Sequence, residues 1–270
     1  MNNPQTNHYK IMEQINAIAA LAFRDFTKLL RDRPRMVVSL VFPIIFVGAL
    51  GGSLDANLSE IAGYNLLFFV FTGVLAQTMF QSTASGLISL IEDRENDFSQ
   101  EIFVSPISRY SIIIGKILGE TMVSMAQGLG VVALGLIIGV PLSLLILGKL
   151  FVASLIACLL GGAFGVIVMA NLSSQRSANQ IFPLLIFPQF VLAGVFNPIK
   201  ELPIYLDVLS RISPMRYAVD LVRGIYYYGD PAYDRVVLAS PLFNLTIIGM
   251  MFAVFLVLGT YFFVKNERNR

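Results

Sequence analysis

Residues 92–116 read EDRENDFSQEIFVSPISRYSIIIGK. This charged segment holds five acidic and three basic side chains, and long apolar runs flank it on both sides. It cannot lie in lipid, because taking ionised groups out of water is very costly. We therefore expect it to lie in water between two membrane spans, where it can meet a soluble partner.

The composition places the whole chain among membrane proteins. Of its 270 residues, 56% are hydrophobic and 13% are charged, with a mean hydropathy of +0.73; an ordinary soluble domain has about 25% charged residues. The net charge of +2 gives no reason to expect a nucleic-acid partner. One cysteine and one histidine exclude an internal disulfide and argue against a His/Cys metal site.

Apolar runs predict an all-α protein with six membrane spans, since about 20 apolar residues cross a hydrocarbon core of about 30 Å. Residues 1–35 precede the membrane domain at 36–264, and 265–270 form a basic tail. Pro43 is expected to kink the first span, and residues 55–65 to form an acidic loop. The short fifth run contains two prolines, which leaves open whether it crosses completely. The predicted spans are residues 36–54, 66–91, 111–140, 144–170, 181–196 and 245–264.

Residues 11–30 predict an amphipathic helix that ends near Pro34. Its apolar face is too narrow to span a bilayer. We expect it to lie in the membrane interface with its bases toward lipid phosphates; the alternative is a helix packed on the rest of the protein. The residues assigned to this interfacial helix are Phe23, Phe26, Lys28, Arg31 and Arg33.

A polar stripe runs along the second predicted span. Hydroxyl side chains recur on one helix face and two glutamines lie beside them, and in lipid such a stripe should face other helices or a wet path. Two interpretations stay open: hydrogen bonding that holds helices together, or a surface that a transported molecule contacts. The stripe comprises Gln77, Thr78, Gln81, Ser82, Ser85 and Ser89, and the first five are the candidates for a pathway.

Residues 197–244 form the longest stretch without a predicted complete span. Leucine and isoleucine at positions 202–212 are spaced like one helix face. A second helix is predicted at residues 214–228, with Arg216, Asp220 and Arg223 on its wet side and three tyrosines at its end. Tyrosines are common anchors at a membrane surface.

The distribution of bases predicts the orientation. With the N-terminus inside, 13 of the 19 Lys and Arg residues lie on the cytoplasmic side, as the positive-inside rule expects. The polar N-terminus lacks the pattern of a cleaved signal peptide. We therefore expect an uncleaved multispan protein of the bacterial inner membrane with both termini in the cytoplasm.

The sequence has no catalytic constellation. Gly115 and Lys116 are followed by Ile117 and lack the upstream glycine of a phosphate-binding loop, so we do not expect this chain to hydrolyse ATP by itself. Acidic residues are nearly missing from the predicted spans, which weakens the case for a carrier driven by an ion gradient. No catalytic, metal or cofactor site is predicted.

Four segments of the sequence resemble the membrane permeases of type-2 ABC exporters, in particular the daunorubicin-resistance type. The first is the Arg-Asp-Arg-Pro sequence at 31–34, and the second is the charged segment with its Pro-Ile-Ser-Arg element at 106–109 and Gly-Lys at 115–116. The third is Phe-Asn-Pro-Ile at 196–199, and the fourth is Ser-Pro-Met-Arg-Tyr at 213–217. The resemblance covers essentially the whole chain in the same order.

The resemblance implies a mechanism. A coupling helix within residues 98–109 would contact a separate ATPase subunit present in two copies, with ATP and Mg²⁺ bound there and none on this chain. Two permeases, identical or sister chains, would form the path for a hydrophobic drug-like molecule or lipid. Re-entrant or outer helices would follow the fifth span, with Phe196, Asn197 and Pro198 at an outer gate. The residues implied in ATPase coupling are Glu92, Arg94, Glu101, Ser105, Pro106, Arg109 and Lys116.

Two other functions stay open from the residues alone. The charged segment could dock a soluble partner other than an ATPase, which would make the chain a membrane scaffold or assembly factor. An ion-coupled secondary carrier is the other alternative. Coupling of transport to ATP distinguishes an exporter from both.

Overall fold

The computed structural model describes residues 4–31, 33–95, 107–200 and 202–268. Within these ranges the regular structure is entirely helical, which confirms the predicted all-α class. The elements are α1 (Pro4–Arg31), α2 (Arg33–Pro43), a π-helix (Ile44–Gly51), α3 (Gly52–Ala62), α4 (Leu66–Gly86), α5 (Ser89–Glu95), α6 (Arg109–Ile137), α7 (Leu144–Met169), α8 (Gln175–Leu192), α9 (Ile204–Ile212), α10 (Pro214–Tyr226), α11 (Tyr233–Val236) and α12 (Pro241–Arg268).

Five segments in the described part of the chain are long and apolar enough to cross a membrane. They overlap the first four predicted spans and the sixth. The run at 181–196 falls mostly in α8, whose first turns are polar and which contains two prolines, so a sixth span stays a prediction. The five segments are Val37–Ala62, Leu66–Asp93, Arg109–Ile137, Leu144–Met169 and Tyr233–Asn266.

The acidic loop predicted at residues 55–65 is wrong, because helix α3 continues to Ala62. Gly63 then ends the helix with φ of +71°, a left-handed conformation that glycine adopts easily. The Asp55 carboxylate accepts the backbone N–H of Leu66 at 2.9 Å. The acidic side chain therefore fastens the turn between α3 and α4. Directly after Pro43 the backbone changes from α- to π-helix, at a point where proline removes one helical hydrogen bond.

Helix α4 lies at the centre of the core. Residues 69–80 are all buried, and α6, α7 and α10 pack around them. The contact with α7 is close because Gly161 has no side chain: a Cβ atom there would lie 2.2 Å from the carbonyl oxygen of Phe80. Small residues allow membrane helices to approach in this way.

Serine or asparagine side chains cap the starts of four helices. Each accepts a hydrogen bond from the backbone N–H three residues later, at distances of 2.9–3.2 Å. Such caps satisfy amides that have no partner within the helix. The capping residues are Asn65 for α4, Ser108 for α6, Ser143 for α7 and Ser174 for α8.

Candidate functional site

Four charged side chains from three helices meet where the charged segment adjoins the membrane spans. We call Arg24, Asp25, Asp93 and Lys116 the charged junction. The Lys116 Nζ atom lies 2.6 Å from Asp93 Oδ2 and 3.3 Å from Asp25 Oδ2. Arg24 Nη2 lies 2.9 Å from a carboxylate oxygen of each aspartate. Two cations and two anions thus neutralise one another between α1, α5 and α6.

The charged junction is largely shielded from solvent. The side chain of Lys116 is 1% exposed and that of Asp25 is 3% exposed. Lys116 also donates a hydrogen bond to the hydroxyl of Ser89 at 3.2 Å. Burial alone would lower the pKa of Arg24, but its hydrogen bonds and charge interactions with Asp93 and Asp25 raise it above its ordinary value. All partners are needed, because removing one leaves a buried charge uncompensated.

Helix α1 packs along the first half of α6. Its backbone approaches closely because α6 has a glycine at position 119. A Cβ atom there would lie 3.1 Å from the Cα of Ala22. At the start of α6, the backbone N–H of Ser108 donates to the Gln14 side chain at 2.8 Å. One face of α1 is therefore held on the protein, which was the alternative to a purely interfacial helix.

The structure describes only some of the residues predicted to take part in ATPase coupling. Lys116 is buried inside the charged junction, and its role in ATPase coupling stays a prediction. Glu92 and Arg109 are half-buried at the ends of the flanking helices. Arg94 belongs to α5, but its side chain is outside the described set. Glu101, Ser105, Pro106 and most of the predicted coupling helix at 98–109 lie outside the described residues.

The residues assigned to the interfacial helix face different surroundings. Phe23 is 68% exposed, and Lys28 and Arg31 are also exposed, whereas Phe26 is half-buried. Arg33 begins α2, and its side chain is not described. An exposed phenylalanine beside exposed bases is compatible with contact with a membrane surface. The interfacial position stays a prediction.

The five candidate pathway residues of the second span line one cavity of about 250 Å³ between α2, α4 and α6. Two residues that the sequence did not single out, Ser39 and Gln127, complete its polar lining. Ser89, the sixth member of the stripe, instead binds Lys116. The structure thus brings the predicted set together, while its role in transport stays a prediction. The five residues are Gln77, Thr78, Gln81, Ser82 and Ser85.

The predicted outer gate is next to a buried arginine. Arg223 donates to the backbone carbonyls of Val195 at 3.2 Å and Phe69 at 3.3 Å, and its guanidinium lies 3.5 Å from the centre of the Phe69 ring. Phe196 stacks on Phe46 of the first span with ring centres 4.6 Å apart. Of the other gate residues, Asn197 is half-buried and Pro198 is exposed.

The predicted wet side of the helix at 214–228 is wrong for two of its three residues. Asp220 and Arg223 are each 2% exposed. The Asp220 carboxylate accepts hydrogen bonds from the backbone N–H groups of Leu238 and Ala239 and from the Asn244 amide, at 2.7–2.9 Å. These charges hold α10 against the core. Arg216 is half-buried and pairs with Asp207 at 3.2 Å.

Residues 16–227 of the chain match the family described as ABC-2 type transporter. This match covers well over half of the chain and includes the second half of α1, the charged junction, the cavity and α10. The chain belongs to the ABC-2 type transporter family. A multispan membrane-embedded transport permease is thereby established, in agreement with the predicted resemblance.

Several known proteins are similar to the chain over about half of its length or more. The putative transport permease ycf38 of Cyanophora paradoxa is 23% identical over 240 residues, which cover 86% of this chain and 82% of that protein. Nodulation protein J of Rhizobium meliloti is 25% identical over 194 residues, 69% of this chain and 72% of that protein. The probable multidrug ABC transporter permease YbhR of Escherichia coli is 26% identical over 140 residues, which cover 52% of this chain and 38% of YbhR.

The sequence analysis missed some residues of the cavity and of the charged junction. Polar residues inside an apolar span were the available signal, since they tend to face the protein interior. Gln127 in the third span and Ser39 in the first carry this signal. Asp25 has a weaker one, because it lies on the charged side of an amphipathic helix. In the described part of the chain, no group of three or more His, Cys, Asp or Glu side chains could hold a metal ion.

Proposed function

We propose that the chain is the membrane permease of an ATP-driven exporter, powered by a separate ATPase subunit. The family match over residues 16–227 is the observation that carries this proposal, and the five long apolar helices agree with it. The missing phosphate-binding loop is the reason for assigning ATP hydrolysis to another chain. The transported molecule is a hydrophobic drug-like compound or a lipid.

In this proposal the charged junction lies on the cytoplasmic side of a bacterial inner membrane. The excess of bases near α1, the charged segment and the tail supports that orientation, with both termini in the cytoplasm. Two permeases, either identical copies or sister chains, flank one pathway, and two ATPase subunits dock beneath them. Residues near 98–109 and the exposed side of α1 form the docking surface.

The charged junction links the docking surface to the membrane helices. Because α1 is fastened to α5 and α6 by ion pairs and to α6 by close packing, α1 and the core helices move together. An ATPase that binds one permease conformation more tightly than another then shifts the population of the two. The cavity beside α4 opens and closes with that shift, and the segment around Phe196 forms the outer gate.

The test is co-purification of the tagged permease with a candidate ATPase subunit, followed by ATP turnover in nanodiscs with and without amphiphiles. The expected result is a stable complex whose ATP turnover rises with a transported amphiphile. The variants Glu101→Ala and Arg109→Ala are expected to weaken co-purification, while Arg211→Ala, an exposed charge at the opposite end of the chain's spans, serves as the matched control. If no ATPase binds and none drives transport, the proposal fails.

A further inference from the structure

The cavity beside α4 has an unusual chemical lining for a membrane helix bundle. Seven of its lining side chains are neutral hydrogen-bonding groups, three amides and four hydroxyls. Among the residues that the structure describes, no Asp, Glu, Lys or Arg lines it. The apolar part of the lining comes from α2 and consists of Val38, Phe42 and Pro43, and α2 also contributes Ser39. The cavity thus offers both neutral polar groups and apolar groups to one occupant.

Some polar groups of the cavity lining already form hydrogen bonds within the protein. Gln77 donates from its amide to the carbonyl oxygen of Gln81, and the Ser85 hydroxyl donates to the backbone carbonyl of Ser82 at 3.0 Å. Gln127 differs, because it is 8% exposed and no hydrogen bond is formed by its amide within the described residues. A buried amide at membrane depth is costly without a partner. Its donor and acceptor are available to a ligand in the cavity.

This lining discriminates by charge. An ion in the cavity would leave water and find no opposite charge among the described lining residues, which makes its binding unfavourable. A neutral group with several hydroxyl, ether or carbonyl oxygens would replace its hydrogen bonds to water with bonds to amides and hydroxyls. The volume of about 250 Å³ is below the range of about 300–1,000 Å³ for pockets that enclose a drug-sized ligand. The cavity therefore fits the polar end of a longer molecule.

We propose that this cavity binds the uncharged polar end of an amphiphile, such as a glycoside headgroup, and discriminates against cationic and anionic amphiphiles of the same chain length. The apolar part of the molecule lies along Val38 and Phe42 of α2. Gln127 is the main determinant of specificity. The assignment of this amphiphile as the exported substrate rests on the proposed transport function, whereas binding itself does not.

The experiment compares three probes with one dodecyl chain and different heads: maltoside, trimethylammonium and sulfate. Each is titrated below its micellar concentration against the permease in nanodiscs, with empty nanodiscs subtracted. The expected dissociation constant of the maltoside is at least about tenfold lower than those of the two ionic probes. Gln127→Leu is expected to weaken maltoside binding by about three- to tenfold, the usual range for one neutral hydrogen bond. Gln180→Leu, an exposed glutamine of α8 outside the cavity, is expected to leave it unchanged.

A second variant reverses the selectivity. Gln127→Glu places a carboxylate in the cavity and is expected to strengthen trimethylammonium binding at least about fivefold relative to maltoside, through pairing of opposite charges. Equal affinity for all three heads, or unchanged maltoside binding in Gln127→Leu, overturns the proposal. A neutral macrolactone as competitor distinguishes sources: displacement of the maltoside extends the site to neutral drugs, and no displacement restricts it to glycolipid-like heads.

The binding assay contains no ATP and no ATPase, so the two proposals fail separately. Neutral-selective binding without ATP-driven transport would keep the site and remove the exporter function. ATP-driven transport by a permease that binds all three probes equally would keep the exporter function and remove the neutral-selective site.

Discussion

Replacing Lys116 with methionine tests the charged junction. Methionine keeps most of the volume of the lysine side chain but removes the Nζ atom that lies 2.6 Å from Asp93 and 3.3 Å from Asp25. The two carboxylates would then share only Arg24, in a site where Asp25 is 3% exposed. Breaking a buried ion pair from one side costs about 3–5 kcal/mol. At about 2–4 °C for each kcal/mol in a chain near this size, the unfolding midpoint should fall by about 6–20 °C.

The protein contains its own reporter for this measurement. Cys158 is the only cysteine and is completely buried in α7, and burial keeps a thiol unreactive. A maleimide dye that fluoresces on reaction therefore reports unfolding of the purified permease in detergent. The matched control is Lys28→Met, which removes an exposed lysine from α1 and should shift the midpoint by less than about 2 °C.

The double variant Lys116→Met with Asp93→Asn separates the ion pair from the loss of packing. Because the second change removes one of the uncompensated charges, it should recover part of the midpoint lost in the single variant. If Lys116→Met melts within about 2 °C of the wild type, or if the double variant is less stable by the full sum of both single effects, the junction does not work as described.

Three further predictions concern other contacts. Gly119→Leu should separate α1 from α6, since a Cβ atom would already lie 3.1 Å from Ala22; an increased rate of limited proteolysis within α1, with unchanged cleavage in Gly148→Leu at an open position, would reveal this. Arg223→Met should lower the thiol-dye midpoint by about 2–12 °C, because two buried carbonyls lose their donor, at about 1–3 kcal/mol together; Arg176→Met, which changes an exposed arginine at the start of α8, is the control. The hydrogen bond from Arg211 lowers the pKa of Asp207, so its contribution is present above the ordinary carboxyl pKa of about 3.9 and is lost below it: wild type and Asp207→Asn should differ in midpoint at pH 7 and converge as the pH falls below that value.

The sequence allowed prediction of the helices that depend on local composition. Runs of about 20 apolar residues gave three of the five spanning segments within a few residues of their observed bounds, Leu66–Asp93, Arg109–Ile137 and Leu144–Met169. The polar stripe on the second span was also predictable, because hydroxyl residues recur at helical spacing within an apolar run. Both signals lie within one helix and need no knowledge of its neighbours.

The charged junction was not predictable in the same way. Two of its members, Arg24 and Asp93, are 69 residues apart in the sequence. The residues around Lys116 in the sequence do not distinguish it from a lysine at the end of a membrane span. The predicted loop at residues 55–65 was wrong for a related reason. Its sequence suggests that Asp55 lies in water, but the Asp55 carboxylate accepts a hydrogen bond from the backbone at the start of the next helix. Charges that are satisfied by distant partners give the same local pattern as charges in water.

Helix α10 illustrates the limit of amphipathic patterns. The pattern correctly separates a polar from an apolar face, yet Asp220 and Arg223 are buried because backbone groups of other segments replace water as their partners. A charged face shows that partners are required. Whether those partners are water or protein depends on the tertiary structure.

The most direct test of the exporter proposal is transport in inverted membrane vesicles that contain the permease and its ATPase, with fluorescent neutral, cationic and anionic amphiphiles. We predict ATP-dependent accumulation of at least one amphiphile, unchanged when ionophores collapse the ion gradients and abolished with a non-hydrolysable ATP analogue. Accumulation that follows the ion gradient without ATP, or no accumulation by vesicles that contain both subunits, would contradict the account.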